Sequence, residues 1–190
     1  MSDDALIRLL TPTDTEEFLR LGKRITLDSG QNGSPIHSAR EEWDPAMEDR
    51  IRTRSGSQWL LPVGQPNWQR SFGLFVKGSL CGDVSLRAGE LETEQHRALL
   101  SIGLVPEARC QGHGRRMMEI AIEWAANQPS LAWIALGVFA GNHAAQALYQ
   151  KLGFVEHGHI PDRFRIHGQS VDDVDMLLDL DTWRQTHRND

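Results

Sequence analysis

Apolar positions change period along the chain, and the changes predict an alternating order of strands and helices. Ala5 to Leu10 (ALIRLL) reads as an opening strand. Thr13 and Glu16 have the spacing of a capping box, and Phe18, Leu19 and Ile25 continue a helical stripe behind it. Asp28 to Pro35 (DSGQNGSP) is a loop by composition, and Asp44-Pro45 opens a second helix that runs to about Arg54. Ser55 to Arg70 holds Trp59, Pro62, Gly64, Pro66 and Trp68, which predicts a long loop with apolar anchors. Phe72 to Val76 and Leu80 to Ala88 predict a hairpin that turns at Lys77-Gly78-Ser79. A polar loop from Gly89 to Gln95 follows and carries Glu90, Glu92 and Glu94.

Arg97 to Val105 is apolar on successive positions, which predicts a strand buried on both faces. Gly112 to Asn127 is the strongest helix. Arg115, Arg116, Glu119, Glu123 and Asn127 form its wet stripe, and Met117, Ile120, Ala121 and Trp124 its dry one. Gln128-Pro129 ends it, and Ala132 to Val138 reads as a buried strand. Asn142 caps a helix to Leu152, with Gly153 in the terminating position. Phe154 to His157 begins a strand, and Val174 to Leu180 gives the last. The predicted order is β-α-α-β-β-β-α-β-α-β-β. It describes an α/β (α+β) domain, a mixed sheet flanked by helices, over residues 1–190 with a core from about 5 to 180.

Composition narrows the functional classes. Of 190 residues, 39% are apolar and 24% charged, too apolar for a disordered chain. Net charge is −6, and from Asp172 onward six acids face two bases. The balance argues against non-specific nucleic-acid binding, which needs a basic face. Cys81 and Cys110 alone cannot build a disulfide framework or a cysteine zinc site. His157 and His159 lack a third ligand nearby in sequence, so no metal is expected. The start has no basic n-region, and the longest apolar uncharged stretch, Leu131 to Ala140, is about half a membrane span. A cytoplasmic protein away from the membrane is the expectation.

The chemistry concentrates at Leu104 to Arg116 (LVPEARCQGHGRR). Arg109-x-x-Gly112-x-Gly114 opens a long helix, whose first turn offers unpaired N–H groups and partial positive charge. Arg109, Arg115 and Arg116 add three cations with no acid between them, which suits a phosphate or pyrophosphate. A Walker pattern is absent, and Met117 stands where a dinucleotide fingerprint needs its third glycine. A plain turn into a helix explains such glycines as well. The second segment is Asn142 to Phe154 (NHAAQALYQKLGF). Asn142 and Tyr149, the only tyrosine, are seven apart and so share nearly one helical face. A tyrosine there serves as a proton donor or as core packing.

Together the two segments resemble the GNAT superfamily of acetyl-coenzyme A-dependent N-acetyltransferases. Its phosphate-loop pattern is matched by Arg109, Gly112 and Gly114, and its later segment by Asn142, Ala145, Leu148, Tyr149, Lys151, Gly153 and Phe154. Cys110 departs from the glycine or small residue common there, and the 55–70 loop is longer than a minimal member needs. The resemblance implies a sheet splayed between the two parallel strands Arg97–Val105 and Ala132–Val138. Acetyl-CoA is then the co-substrate, with pantetheine along Ile102, Leu104 and Val105. Its pyrophosphate meets Arg109, Cys110, Gln111, Gly112, His113, Gly114 and Arg115, while Asn142 and Ala145 flank the pantetheine. Tyr149 is placed to protonate the leaving thiolate.

An alkylammonium has a pKa of about 10, so a base or water relay must deprotonate it. Glu92, Glu94 and His96, with Glu90, are the candidates just ahead of the reacting strand. An acyl-Cys110 route is conceivable beside direct transfer. Segments 30–37 and 161–170 are expected to flank the acceptor. The implied reaction is direct attack by the primary amine of a small molecule, with a protein N-terminus or lysine as the alternative acceptor. An acyl-CoA-binding sensor without turnover is the alternative from another class. Whether the chain forms a homodimer is open at this point.

Overall fold

A computed structural model describes residues 5–31 and 36–187. Residues 32–35, part of the loop expected at 28–35 and of the acceptor-side segment expected at 30–37, lie outside the described residues. The elements are β1 (Ala5–Leu9), α1 (Thr15–Asp28), α2 (Pro45–Gln58), β2 (Gln69–Val76), β3 (Ser79–Arg87), β4 (Arg97–Leu104), α3 (His113–Ala126), β5 (Trp133–Phe139), α4 (His143–Lys151), β6 (Val155–Ile166), β7 (Gln169–Asp179) and α5 (Leu180–His187). Seven strands form one sheet in the order β1-β2-β3-β4-β5-β7-β6, parallel only between β4 and β5.

The period-2 alternation of β4 assigns its two faces. Ala98 and Leu100 are buried, and their register partners Ile134 on β5 and Leu86 on β3 join them in the core. This face carries α3, whose Trp124 meets Phe72 and Trp68 with ring centroids 6.0 and 5.9 Å away. The last turn of α4 joins the same layer, because Gly153 abuts Leu178. The opposite face takes α1, with Ile25 directly over Gly103.

Four expectations change. The helix entry at 13–16 is instead a short 3-10 turn, Pro12–Asp14, in which Asp14 accepts from the Thr11 N–H at 2.8 Å. The second helix reaches Gln58, so the long loop shrinks to residues 59–68. Trp59 and Trp68 anchor it as expected; both are buried, and Trp59 Nε1 donates to Ser71 Oγ at 2.9 Å. β4 is covered along one face, but on the other Leu99 and Ser101 are exposed and α1 reaches only as far as Gly103. Segment 161–170 is not a loop but the end of a long hairpin, with His167 and Gly168 at its left-handed turn.

One element was not anticipated. α5 buries Leu180 and turns Arg184 back onto the end of α3. Its guanidinium donates to the carbonyls of Ala126 (2.8 Å), Gln128 (3.0 Å) and Leu131 (2.7 Å). Carbonyls left unpaired at a helix C-terminus are satisfied in this way by a residue far along the chain.

Asp14 shows how the first strand is fastened. It is buried and accepts from Arg8 at 2.8 and 2.9 Å, and Arg8 stacks over Phe75 at 4.1 Å. The Arg8 hydrogen bond holds the Asp14 carboxyl well below its ordinary range. A depressed carboxyl stabilises the fold fully above its unfolded pKa of about 4, and that stability is lost progressively as pH falls from there toward its lower folded value. Asp14→Asn should therefore cost about 1–2 kcal/mol in urea unfolding at neutral pH, and a smaller but still measurable amount near pH 2.5. An equal cost at both values would detach the effect from ionisation.

Candidate active site

The site begins as a fork in the sheet. β4 and β5 pair only at Arg97↔Trp133, Ala98↔Ile134 and Leu99↔Ala135, although both strands continue, to Leu104 and Phe139. The ladder with β3 fixes where the β4 backbone points beyond that. Val105 N–H donates to the Cys81 carbonyl at 2.9 Å, and Gly103 and Ser101 share its parity. Antiparallel alternation then turns the polar groups of Leu100, Ile102 and Leu104 into the fork. Ile102 and Leu104 thus keep their expected place on the open edge. Val105 does not: it faces β3 and is fully buried.

Past β4 the chain reverses into α3. Cys110 and Gly112 are both left-handed, at φ 57 and 82. Glycine takes that conformation freely, whereas a residue with a Cβ resists it. This explains why a glycine would suit position 110 better than the cysteine present. Gly112 caps α3 without a side chain, and the first helical bond runs from Arg116 N–H to the Gly112 carbonyl at 3.1 Å. The N–H groups of His113, Gly114 and Arg115 lie ahead of it, where a helix leaves donors open. A Cβ on Gly114 would lie 3.8 Å from Leu104 Cδ1 and 4.0 Å from Leu148 Cδ2. The glycine turn, the open end of β4 and the helix bearing Tyr149 therefore converge.

The cations of this loop are less available than the sequence suggests. Arg109 Nη2 pairs with Asp28 Oδ2 at 2.8 Å, and its Nε donates to the Leu104 carbonyl at 2.9 Å. Arg109 is thus a clasp between α1 and the end of β4, not a charge held out to a ligand. No local pattern encodes the return of Asp28 to this point. Arg115 pairs with Glu119 at 2.8 Å, one helical turn on. Gln111 folds its amide onto the Glu107 carbonyl at 2.6 Å, and the Cys110 side is exposed.

On α4, Asn142 Oδ1 accepts from Ala145 N–H at 3.2 Å, and Gly153 at φ 94 ends the helix. Tyr149 is buried beside Phe154, with ring centroids 6.0 Å apart. Burial pushes its phenol up to about 12. The hydroxyl makes no hydrogen bond among the described residues, yet it is not a sealed polar atom. It is neutral, unspent and reachable.

Glu92, Glu94 and His96 are not at the fork. They precede β4, at the end where it still pairs with β5, and the His96 carbonyl itself accepts from Ala132 N–H at 2.8 Å. Glu94 Oε1 is turned back to Leu91 N–H at 3.1 Å. From His96 to Ile102 is about 20 Å of strand. These three residues therefore stand at the paired end of β4, away from the fork.

Two further carboxylates stand in the strands: the half-buried Asp83, the only acid of β3, and the buried Asp173, one of four acids of β7. In β3, Asp83 accepts from Ser85 Oγ at 2.9 Å, and burial pushes it up to about 6. Ser85 bonds Ser71, which accepts from Trp59 and Gln69. In β7, Asp173 lies over Gly137 of β5 and accepts from Arg163 at 2.9 Å. Burial of Asp173, the dominant effect, raises its pKa despite Arg163. Asp83 carries a signal in the sequence, an acid between two buried strand neighbours, whereas Asp173, beside Asp172, carries none.

Elsewhere, a groove of about 910 Å³ lies between α3, α5 and the end of α4, lined by Glu119, Ile122, Lys151 and Trp183 among others and by no residue of β4. Among the described residues, no three His, Cys, Asp or Glu side chains are grouped to hold a metal, and no helix is long and apolar enough to cross a membrane.

Known proteins resemble this chain in sequence and in fold. Over 183 residues the chain is 26% identical to the "Putative ribosomal N-acetyltransferase YdaF" of Bacillus subtilis, covering 96% of this chain and 95% of that one. Over 84 residues it is 35% identical to spermidine N(1)-acetyltransferase of Vibrio cholerae, covering 44% of this chain and 49% of that one. A crystal structure of a GNAT-family acetyltransferase from Streptococcus pneumoniae superposes with a TM-score of 0.71 at 26% identity, covering 91% and 98% of the two chains. The acetyltransferase (GNAT) family model matches residues 35–154, from the segment after α1 through the end of α4. That span holds the fork, the glycine turn and Tyr149, and by it this chain belongs to the GNAT family of acetyl-CoA-dependent acetyltransferases.

Proposed function

We propose that this enzyme transfers the acetyl group of acetyl-CoA directly to the primary amine of a small molecule. The observation that carries the reading is the convergence of three features at Gly114: open helix amides, an unpaired strand edge and the Tyr149 helix. The edge suits an extended chain bearing amides, such as pantetheine, which would add to β4 as a strand adds to a sheet. The amides of residues 113–115 suit a pyrophosphate. Tyr149 is the proton donor to the departing thiolate.

The charge of the acceptor side favours a small molecule. Glu41, in the segment before α2, accepts from the His167 backbone N–H at the β6–β7 turn. Arg163, Asp173 and Asp175 line the strands beneath that turn. An acidic face suits a compact cationic amine. The named activity of the Bacillus subtilis relative, which aligns over nearly the whole chain, favours a second reading in which the acceptor is a ribosomal protein amine. Thiol release from acetyl-CoA with a panel of polyamines, amino acids and N-terminal peptides separates the two. Turnover confined to peptides would replace the first by the second, and turnover with none would leave an acyl-CoA-binding sensor.

A Cβ at Gly114 makes only ordinary contacts, so Gly114→Ala should fold and bind CoA much as the parent does. Gly114→Asp should weaken CoA at least tenfold, about 1.4 kcal/mol, by placing an anion beside the pyrophosphate. Calorimetric titration checks both, and unchanged affinity in a folded Asp variant would move the pyrophosphate elsewhere.

Burial makes Tyr149 a weaker acid than a free phenol, and a thiolate whose conjugate acid has a pKa of about 8.5 leaves partly unaided. Tyr149→Phe should therefore sit near the low end of general-acid effects, about a hundredfold down in kcat, with CoA affinity unchanged. A Phe variant with full turnover would return Tyr149 to core packing.

A further inference from the structure

We propose that Asp173 takes the proton from the acceptor's ammonium. The assignment rests on the fork being the acetyl-transfer site and identifies the group that makes the acceptor reactive. Gly137 is two residues past the last rung, Ala135↔Leu99, so it stands across the gap from Ser101. Both Gly137 and Ser101 are exposed. Asp173 Oδ2 would be 2.7 Å from a Cβ on Gly137, so the carboxylate rests on the β5 backbone at the open part of the fork. No side chain other than hydrogen fits at Gly137 without displacing it.

The two oxygens differ. Oδ2 accepts from Arg163 Nη1, which also bonds Asp175 Oδ1 at 3.2 Å. Oδ1 has no hydrogen-bond partner among the described residues and is not sealed from solvent. Asp173 is 4% exposed, so the free oxygen is a small polar opening in a covered surface. Asp173 and Tyr149 come from opposite faces of the sheet. Asp173 shares a face with Gly137, whereas the α4 layer covers Ile134, Leu136 and Leu178. Only the gap between β4 and β5 joins those faces, which puts a proton acceptor on one side of the reacting carbon and a donor on the other.

Asp83 is less well placed. Its partner on β4 is Gly103, and Ile25 covers that glycine between Asp83 and the gap.

The step balances. The ammonium gives one proton to Asp173 and becomes a neutral amine. Its lone pair forms the N–C bond at the thioester carbonyl, and the C–S bond breaks. The nitrogen loses a second proton, which matches the one the thiolate gains as free thiol. Asp173 returns its proton to water, so the sum is amide, thiol and one proton. The charged groups facing Asp173 are Arg163 from β6 and Asp175 from its own strand; β5 contributes only the Gly137 backbone. Burial and Asp175 hold its pKa above the ordinary carboxylate value, against Arg163.

The test uses the full chain and an alkyl amine that the parent acetylates. Asp173→Asn should lower kcat at neutral pH about a hundredfold or more, with KM for acetyl-CoA unchanged. Its rate should then climb about tenfold per pH unit toward the amine's own pKa of about 10. A fluorinated analogue of the same amine, already neutral at pH 7, should be acetylated by parent and variant within about threefold. Asp175→Asn, which leaves Arg163 wholly to Asp173, should shift the acid limb of the parent profile to lower pH. It also serves if Asp173→Asn does not fold.

Parent-like rate and profile in Asp173→Asn would overturn the assignment, as would an equal loss on both amines or an unmoved limb in Asp175→Asn. A parent that acetylates no amine sinks this assignment together with the proposed function. A parent that acetylates one, beside an Asn variant that matches it, sinks this assignment alone.

Discussion

The early end of pairing between β4 and β5 is the constraint on which the rest of the site depends. Three rungs hold two parallel strands together, and then an edge opens in the middle of the sheet. Backbone groups buried without partners are expensive, and exposed edges invite association. Here the edge is kept from both. One carbonyl is taken by Arg109, the strand stays fastened to β3, and helices stand over each face. What remains open is narrow, extended and polar. An extended ligand carrying amides would complete it.

The two sides of that opening are built by different physics. On the α3–α4 side, conformation dominates. Left-handed residues at 110, 112 and 153 set where helices begin and end, and a tyrosine is held neutral by burial. On the α1 side, charge dominates. Asp28–Arg109, Arg163–Asp173–Asp175 and Glu41–His167 tie together segments distant in sequence. Such ties add modestly to stability where they are exposed, and more where a carboxylate is buried. Their larger effect is to fix the position of loops that carry no regular structure.

This division also explains what could be read from the residues. Features set by local chemistry were legible: the Asn142 cap, the Gly153 stop, the two-faced α3 and the glycine turn ahead of it. Features set by long-range return were not. Arg109 looked like an anion ligand because Asp28 lies 81 positions earlier. Glu92, Glu94 and His96 read as neighbours of the site because sequence proximity to β4 does not say which end of the strand opens into the fork. Asp173 was passed over because an acid in a strand gives no hint of the glycine beneath it. α5 was missed because Leu180 and Arg184 acquire their meaning only against α3. Ser55 to Gln58 were read as loop because their composition is polar, whereas Trp59 docks the helix end on Ser71.

The order of strands has a consequence for synthesis. β7 is the last strand made, yet it lies between β5 and β6. While the ribosome is still making residues before 169, β5 has one unfilled side and β6 has no neighbour in the sheet. The carbonyls at and just past the end of α3 likewise wait for Arg184, which follows β7 on α5. The arm β1–β4 can form early as an antiparallel unit, but the half bearing Tyr149 and Asp173 closes only after β7 has been made. A nascent chain that ends before β7 therefore carries a folded amino-terminal arm and an unfinished second half, in which β5 and β6 still lack the strand that joins them.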